Sequence, residues 1–391
     1  MNFRNVNPLN VYSNYMSGNL LPLAPRDSRF SLASVLFGGF MWLLQAVQLC
    51  VLVPGLMMVS WEKAIVDGTI TFVLIIEVSF IAGQIQTHKK LTDRLIQKLN
   101  DILRIEDEMM ENVVKTTLKP IDAPLRFYVV AGSLSVFVWF SLPLLMILER
   151  ETFFYEDFRL PAVFSTQPFS SQTFVLGSIL LVMGNVQIFL KKCGLDIYMI
   201  HLVLMMTAQY RYTGKKLASI FRDASKRCEL GQVGCEVDRW TENALKALCR
   251  HHNSVVRLSS VLRDLLSSSL NLIYINSVIR FCFTAILFNA VLSATFLEGF
   301  LVSMYSCGSV MEFYMLCSCM QQLHDASTDI TDEAFHEKWY QFGPSVKRTF
   351  MLMILANNLG CKLSTCNKFN LSLPSFMTIL NQSYSIALVL L

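Results

Sequence analysis

Charge is scarce in this chain. Of its 391 residues only 16% are Asp, Glu, Lys or Arg, against 53% hydrophobic, and the mean hydropathy is +0.45. A soluble globular domain carries about 25% charged residues, so the shortage excludes a water-soluble protein. A net charge of +4 gives no basic footprint for nucleic acid and is what loops obeying the positive-inside rule produce. Also missing are a Gly-rich phosphate loop, a His-Glu-x-x-His pair, and a Ser or Cys set beside a plausible His and acid. Nothing therefore points to an enzyme or to a cofactor. His251 and His252 near Cys249 lack a second Cys pair at finger spacing and make no zinc site. The cysteines lie in apolar blocks or on the expected cytoplasmic side, so no structural disulfide is expected. Residues 1–29 are polar, carry Arg4, Arg26 and Arg29, and have no apolar core or small-residue cleavage site of a secretory signal, so the N-terminus is expected to stay where it is made. With no internal repeat, low-complexity tract or linker, residues 1–391 read as a single domain.

What is present is apolar material in separated blocks: 31–60, 64–85, 127–148, 173–190, 270–293, 296–320 and 371–391. Each approaches the roughly 20 residues of a spanning helix, so the expected fold class is an all-α membrane protein with seven transmembrane helices. Lys and Arg crowd the stretch after the second block (Lys89, Lys90, Arg94, Lys98, Arg104, Lys115, Lys119, Arg126) and the one after the fourth (Lys191, Lys192, Arg211, Lys215, Lys216). The third-to-fourth link holds only Arg150 and Arg159 among four acids. That asymmetry predicts a cytoplasmic N-terminus (1–30) and an extracellular C-terminus.

Apolar positions at steps of three and four predict cytoplasmic helical extensions over 88–119, 191–269 and 325–368. The first is read as an amphipathic helix from His88 to Lys119. These stripes suit packing within one subunit or between subunits, and Trp240, Phe335, Trp339 and Phe350 are the candidate assembly residues. Asn357, Asn358 and Gly360 read as helix-stopping, and Ser372 and Pro374 as the N-cap and first turn of the last helix. That last helix (371–391) carries Ser375, Thr378, Gln382 and Ser385, continued by Val389, along one face. Such a stripe lines water or, equally, glues helices together. Membrane-embedded acids are functional by default, which singles out Glu77, Glu298 and Glu312. Buried hydrogen bonds to neighbouring helices are the more ordinary account of Glu77 and Glu312.

Seven spans suggest a metabotropic seven-helix chemoreceptor, but that class has the opposite orientation and a cytoplasmic tail after its last span. A transporter has broken helices in two related halves, and no such symmetry shows. The run from Ala334 through Trp339, the segment 374–380, Ser383, Tyr384 and Ser385, with Cys307 and Gly308 in the sixth span, resembles the insect odorant receptors. The likeness covers the whole topology and is most specific over the last sixty or so residues. The family's co-receptor is longer, with an insertion between the fourth and fifth spans and residues past the last; this chain resembles the ligand-tuning subunits instead.

The resemblance implies an olfactory, ligand-gated, non-selective cation channel: a heterotetramer with co-receptor subunits in the plasma membrane of a sensory neuron dendrite, bathed in membrane lipid. The last helix of each subunit lines one pore, with Thr378, Gln382 and Ser385 leading to Val389 at the hydrophobic gate, while Ser383 and Tyr384 pack away from it. A small volatile odorant binds in the outer half of the bundle. Matching stretches supply Phe72 and Ile76; Ser135, Trp139 and Phe140; Met183 and Gln187; and Phe300, Met304 and Tyr305, each of which is equally open to being ordinary core. Because the chain stops at Leu391, a carboxylate ring near the outer pore mouth is a further expectation.

Overall fold

The computed structural model of the chain describes residues 1–23, 31–104, 107–231, 234–291, 296–360 and 371–390. Two short helices, α1 (Phe3–Val6) and α2 (Pro8–Ser17), precede α3 (Leu32–Met58) and α4 (Trp61–Thr87). These are followed by α5 (Lys89–Leu103), α6 (Glu108–Ser141), α7 (Ser171–Glu229), α8 (Gly234–Val291) and α9 (Phe296–Thr328). The chain continues through α10 (Asp332–Phe335), α11 (Pro344–Gly360) and α12 (Leu373–Leu390). Among the described residues α3, α4, α6 with its 3-10 extension to Leu148, α7, α8 and α9 are long and apolar enough to cross a membrane. The seventh apolar helix, α12, is 18 residues long. The side chains of Glu298, Asn357 and Asn358, and Leu391 altogether, lie outside the described residues.

Serines open the helices where the sequence breaks its apolar runs. Ser31, Ser60 and Ser372 each accept the amide hydrogen of the residue three further on, Ser34, Lys63 and Ser375, satisfying a donor that the first turn leaves free. The expected single helix over 88–119 is two helices. Asp107 supplies the reason: its carboxylate caps α6 by accepting from the Met109 amide at 2.9 Å. It also takes the Tyr212 hydroxyl at 2.7 Å and Lys216 Nζ at 3.0 Å from α7. The block after α9 is likewise broken, at Gly343–Pro344. Pro344 lacks the amide that a continuing helix needs and starts α11 instead. The Gly343 amide turns to the Asp238 carboxylate at 3.0 and 3.1 Å.

At about 1.5 Å per residue α7 and α8 reach nearly 90 Å each, three times the hydrocarbon thickness, so both run far beyond a single bilayer crossing. Every residue of α7 from 191 to 210 is buried. A helix apolar on most sides and wrapped all round is the post of a bundle rather than a wall of it. α6, α8 and α9 surround it, and α2 with the segment after it wedges against it: Asn19 Nδ2 donates to the Lys191 carbonyl at 2.9 Å and Tyr198 OH to the Pro22 carbonyl at 2.9 Å.

A second, smaller core sits at the other end of α7. The 142–170 link folds into a cap, with the short strands Thr152–Phe153 and Phe169–Ser170 paired antiparallel. Phe153 stacks on Phe174 at 4.1 Å, and Phe158 stacks on Phe174 at 4.9 Å. The cap lies so close to α3 that a Cβ at Gly55 would strike the Pro161 and Ala162 backbone, which is why glycine stands there.

Candidate functional site

Three features on the α4, α6, α7, α8 and α9 frame carry chemistry: an outer cavity, an ion network beneath it, and the exposed face of α12. The cavity, about 90 Å³, lies among α4, α6, α7 and α9 under the cap. That is several times the roughly 10–15 Å³ that one water needs. Its wall is mainly apolar and aromatic: Ile70, Leu74, Val136, Trp139, Phe140, Ile188, Phe189, Leu301 and Val302, with Tyr305 at the inner end. Asp67, Thr71, Ser135, Arg159 and Asn185 add polar atoms. Several of these are already satisfied within the protein. The Thr71 hydroxyl donates to Asn185 Oδ1 at 3.5 Å, the Ser135 hydroxyl to the Leu301 carbonyl at 3.5 Å, and Lys63 Nζ stands 3.0 Å from Asp67. From the cap, the Arg159 guanidinium lies 4.5 Å from the Trp139 ring centroid and closes the outer end. A small, largely neutral molecule fits such a lining, held by dispersion and aromatic contact.

Of the expected binding residues, Ser135, Trp139, Phe140 and Tyr305 line this cavity. Phe72, Ile76, Met183 and Phe300 do not: each is about half exposed on the outside of the bundle. On α4 the lining positions are 67, 70, 71 and 74, so the expected residues sit on a different face of the same turns. Gln187 is buried but turned to the N-terminal segment, donating to the Ser17 carbonyl at 2.8 Å. Met304 lines a separate small cavity deeper in the bundle.

That deeper region holds the ion network. Lys192 Nζ stands 3.0 Å from Glu77 Oε1 and 2.7 Å from Glu312 Oε1, and is in contact with Asp196 one turn along α7. Arg280 grips Glu312 with two nitrogens at 3.0 and 3.1 Å. Tyr128 OH donates to Glu312 Oε2 at 3.1 Å and Asn276 Nδ2 to Glu77 Oε2 at 3.3 Å. Four helices thus meet at one level through buried charges, with α6 joining through Tyr128, and the charges are stable only while each has its partners. Lys191 and Lys192, expected in a cytoplasmic stretch, are both buried. The missed signal was there: Arg280 interrupts the 270–293 apolar block, and Lys192 and Asp196 stand at i and i+4.

α12 packs one edge on α8 and α9. Phe376, Ile379, Ser383 and Ala387 form the buried seam, and the Cys282 thiol of α8 meets the Ser383 carbonyl at 3.5 Å. Thr378, Gln382, Ser385 and Val389 share the exposed side, Val389 at 85%. The Thr378 and Ser385 hydroxyls bond the carbonyls one turn back, Pro374 and Asn381, at 3.0 and 2.9 Å. Tyr384 is exposed rather than packed within the chain. Of the candidate assembly residues, Phe350 is buried inside the chain against Phe221 at 5.0 Å and Trp339 at 5.2 Å. Trp240 carries Arg227 over its ring at 4.4 Å, and Phe335 is exposed.

Comparison with known proteins places these features in a family context. The family described as 7tm Odorant receptor matches residues 63–384. Odorant receptor 67c of Drosophila melanogaster is 24% identical over 164 residues, 42% of this chain and 40% of that protein. Odorant receptor 67a of the same fly is 24% identical over 190 residues, 48% of this chain and 44% of that protein. The matched stretches thus span less than half of these curated relatives. Among solved structures, the insect olfactory receptor OR5 from Machilis hrabei superposes with a TM-score of 0.80 at 13% identity, covering 99% of this chain and 98% of that one. Its complex with eugenol gives 0.79.

Proposed function

The chain belongs to the 7tm odorant receptor family, and from that premise we propose that it is a ligand-tuning subunit of an odorant-gated, non-selective cation channel. Its ligand is a small volatile bound in the cavity walled by Trp139, Phe140 and Tyr305. The mainly apolar and aromatic cavity under the 142–170 cap is the observation that carries this reading. The solved relative binds eugenol, a small aromatic molecule. The subunit sits in the plasma membrane with its N-terminus inside and its C-terminus outside, alongside co-receptor subunits in a tetramer.

The side of α12 that presents Thr378, Gln382, Ser385 and Val389 lines the pore, and its lack of a packing partner within the chain supports that role. Polar side chains one turn apart give ions a wet surface, and an apolar ring at Val389 closes the path by dewetting. The opposite edge of α12, through Ile379, Ser383 and Ala387, holds the helix to its own subunit. Gating follows when the volatile favours the open arrangement over the closed one, since equal affinity shifts nothing.

The test is whole-cell recording from cells expressing the chain with a co-receptor, with G-protein signalling blocked, across a panel of small volatiles. Millisecond-scale cation currents are expected. Responses that vanish under the block would assign a metabotropic receptor instead.

A further inference from the structure

Below the odorant cavity lies a second one of about 20 Å³, walled in part by Tyr305, Gly308, Ser309 and Glu312 of α9, with Lys192 and Arg280 opposite. Steps of three and four from 305 to 312 put one face of α9 along it. Tyr305 walls both cavities, forming part of the partition between them. Three buried polar atoms on these lining residues have no hydrogen-bond partner among the described residues: the Tyr305 hydroxyl, the Ser309 hydroxyl and Arg280 Nε. Orphan groups are costly, and three around one small space call for a common partner.

We propose that this cavity is a single-water site, and that its water ties the floor of the odorant cavity to the ion network. The size suits one molecule, since a water needs roughly 10–15 Å³ and two to four polar partners. One water can reach all three groups: Arg280 Nε–H and the Tyr305 O–H donate to its two lone pairs, and one of its hydrogens goes to the Ser309 oxygen. Arg280 also grips Glu312, and two residues along α8 the Cys282 thiol meets the Ser383 carbonyl of α12. A molecule that shifts the Tyr305 ring therefore disturbs the water, Arg280, and the stretch of α8 that braces the pore helix. This relay rests on the odorant reading above; the water site does not.

A sign separates a wet cavity from a dry one. If no water is bound, Tyr305→Phe and Ser309→Ala each delete an orphan hydroxyl, and the thermal midpoint of the purified full-length chain in detergent rises or stays put. If the water is there, each variant strands it, both midpoints fall, and the double variant loses less than the sum of the two. Raised, unchanged or additive midpoints overturn the site. For the relay, Ser309→Ala lies outside the odorant cavity yet should raise, at least threefold, the half-maximal concentration of whichever panel volatile drives the unaltered channel hardest. A lowered midpoint with unchanged sensitivity keeps the water and removes the relay. A panel to which the unaltered channel is silent counts against the odorant reading alone, and the thermal result still decides the water site.

Discussion

The two ends of α7 are built differently. Along 191–210 every residue is buried, wrapped by neighbouring helices and tied to them through Lys192, Glu77, Glu312 and Arg280. Nearer its start, Leu176, Ile179 and Met183 face outward, and Asn185, Ile188 and Phe189 border an open space of about 90 Å³. A close-packed region has few alternative arrangements, whereas one with a cavity under a cap adjusts at low cost. The contrast marks the half around 191–210, the inner one, as the rigid part of the fold and the half under the cap, the outer one, as the part that can deform.

The comparison is tested hardest at the ion network. Lys192→Met should leave Glu77, Asp196 and Glu312 facing one another with Arg280 alone to offset them, at a cost of about 3–5 kcal/mol. Size-exclusion of the detergent-solubilised variant should show little folded protein; a normal peak would mean that the inner half is not the rigid one. A smaller effect is expected at Gly132→Ala, whose new methyl falls on the Phe189 ring at the cavity wall. Overpacking of this kind costs about 1–3 kcal/mol. In the deformable outer half the ring should move into the cavity, so odorant-evoked current should fall sharply while surface labelling of the channel persists. Loss of surface protein instead would show the outer half to be as unyielding as the inner.

Trp139→Ala enlarges the cavity and removes the surface under Arg159. A change of roughly 1.4 kcal/mol in ligand binding corresponds to a tenfold shift. The half-maximal odorant concentration should move by about that factor with single-channel conductance unchanged; an altered conductance would mean that this wall belongs to the pore rather than to ligand reception. The smallest effect is expected at Asp107, the cap of α6. Burial pushes its carboxyl up, but the Tyr212 hydroxyl, Lys216 and the Met109 amide outweigh that and hold its pKa below the usual 3.8. The stabilisation is therefore present above pH 3.8 and is lost as pH falls through the lower folded value. Asp107→Ala should cost about 1 kcal/mol at neutral pH, as loss of a cap does. A thermal-shift series from pH 7 to pH 3 should then show a gap between the variant and the parent that narrows only at the acid end.

Much of the architecture was legible beforehand. Seven apolar blocks became α3, α4, α6, α7, α8, α9 and α12, and the serine at 372 opens α12 as its position promised. The spacing of Thr378, Gln382, Ser385 and Val389 put them on one side of α12, where they are exposed. The cavity was half legible: α6 supplied Ser135, Trp139 and Phe140 as expected, but α4 presents Thr71 and Leu74 rather than Phe72 and Ile76.

The sequence by itself determined how many apolar spans there are and which helices outrun a bilayer, because length and hydropathy are local properties of the chain. Only the tertiary structure decided which way each span is turned. In water an inward face announces itself by being apolar, but lipid is as apolar as a protein interior, so Phe72 facing out and Leu74 facing in look alike along the chain. The pairing of Lys192 and Arg280 with Glu77 and Glu312 was hidden for a related reason. Four residues far apart in sequence meet only when α4, α7, α8 and α9 pack, and a lone charge carries no mark of its distant partner.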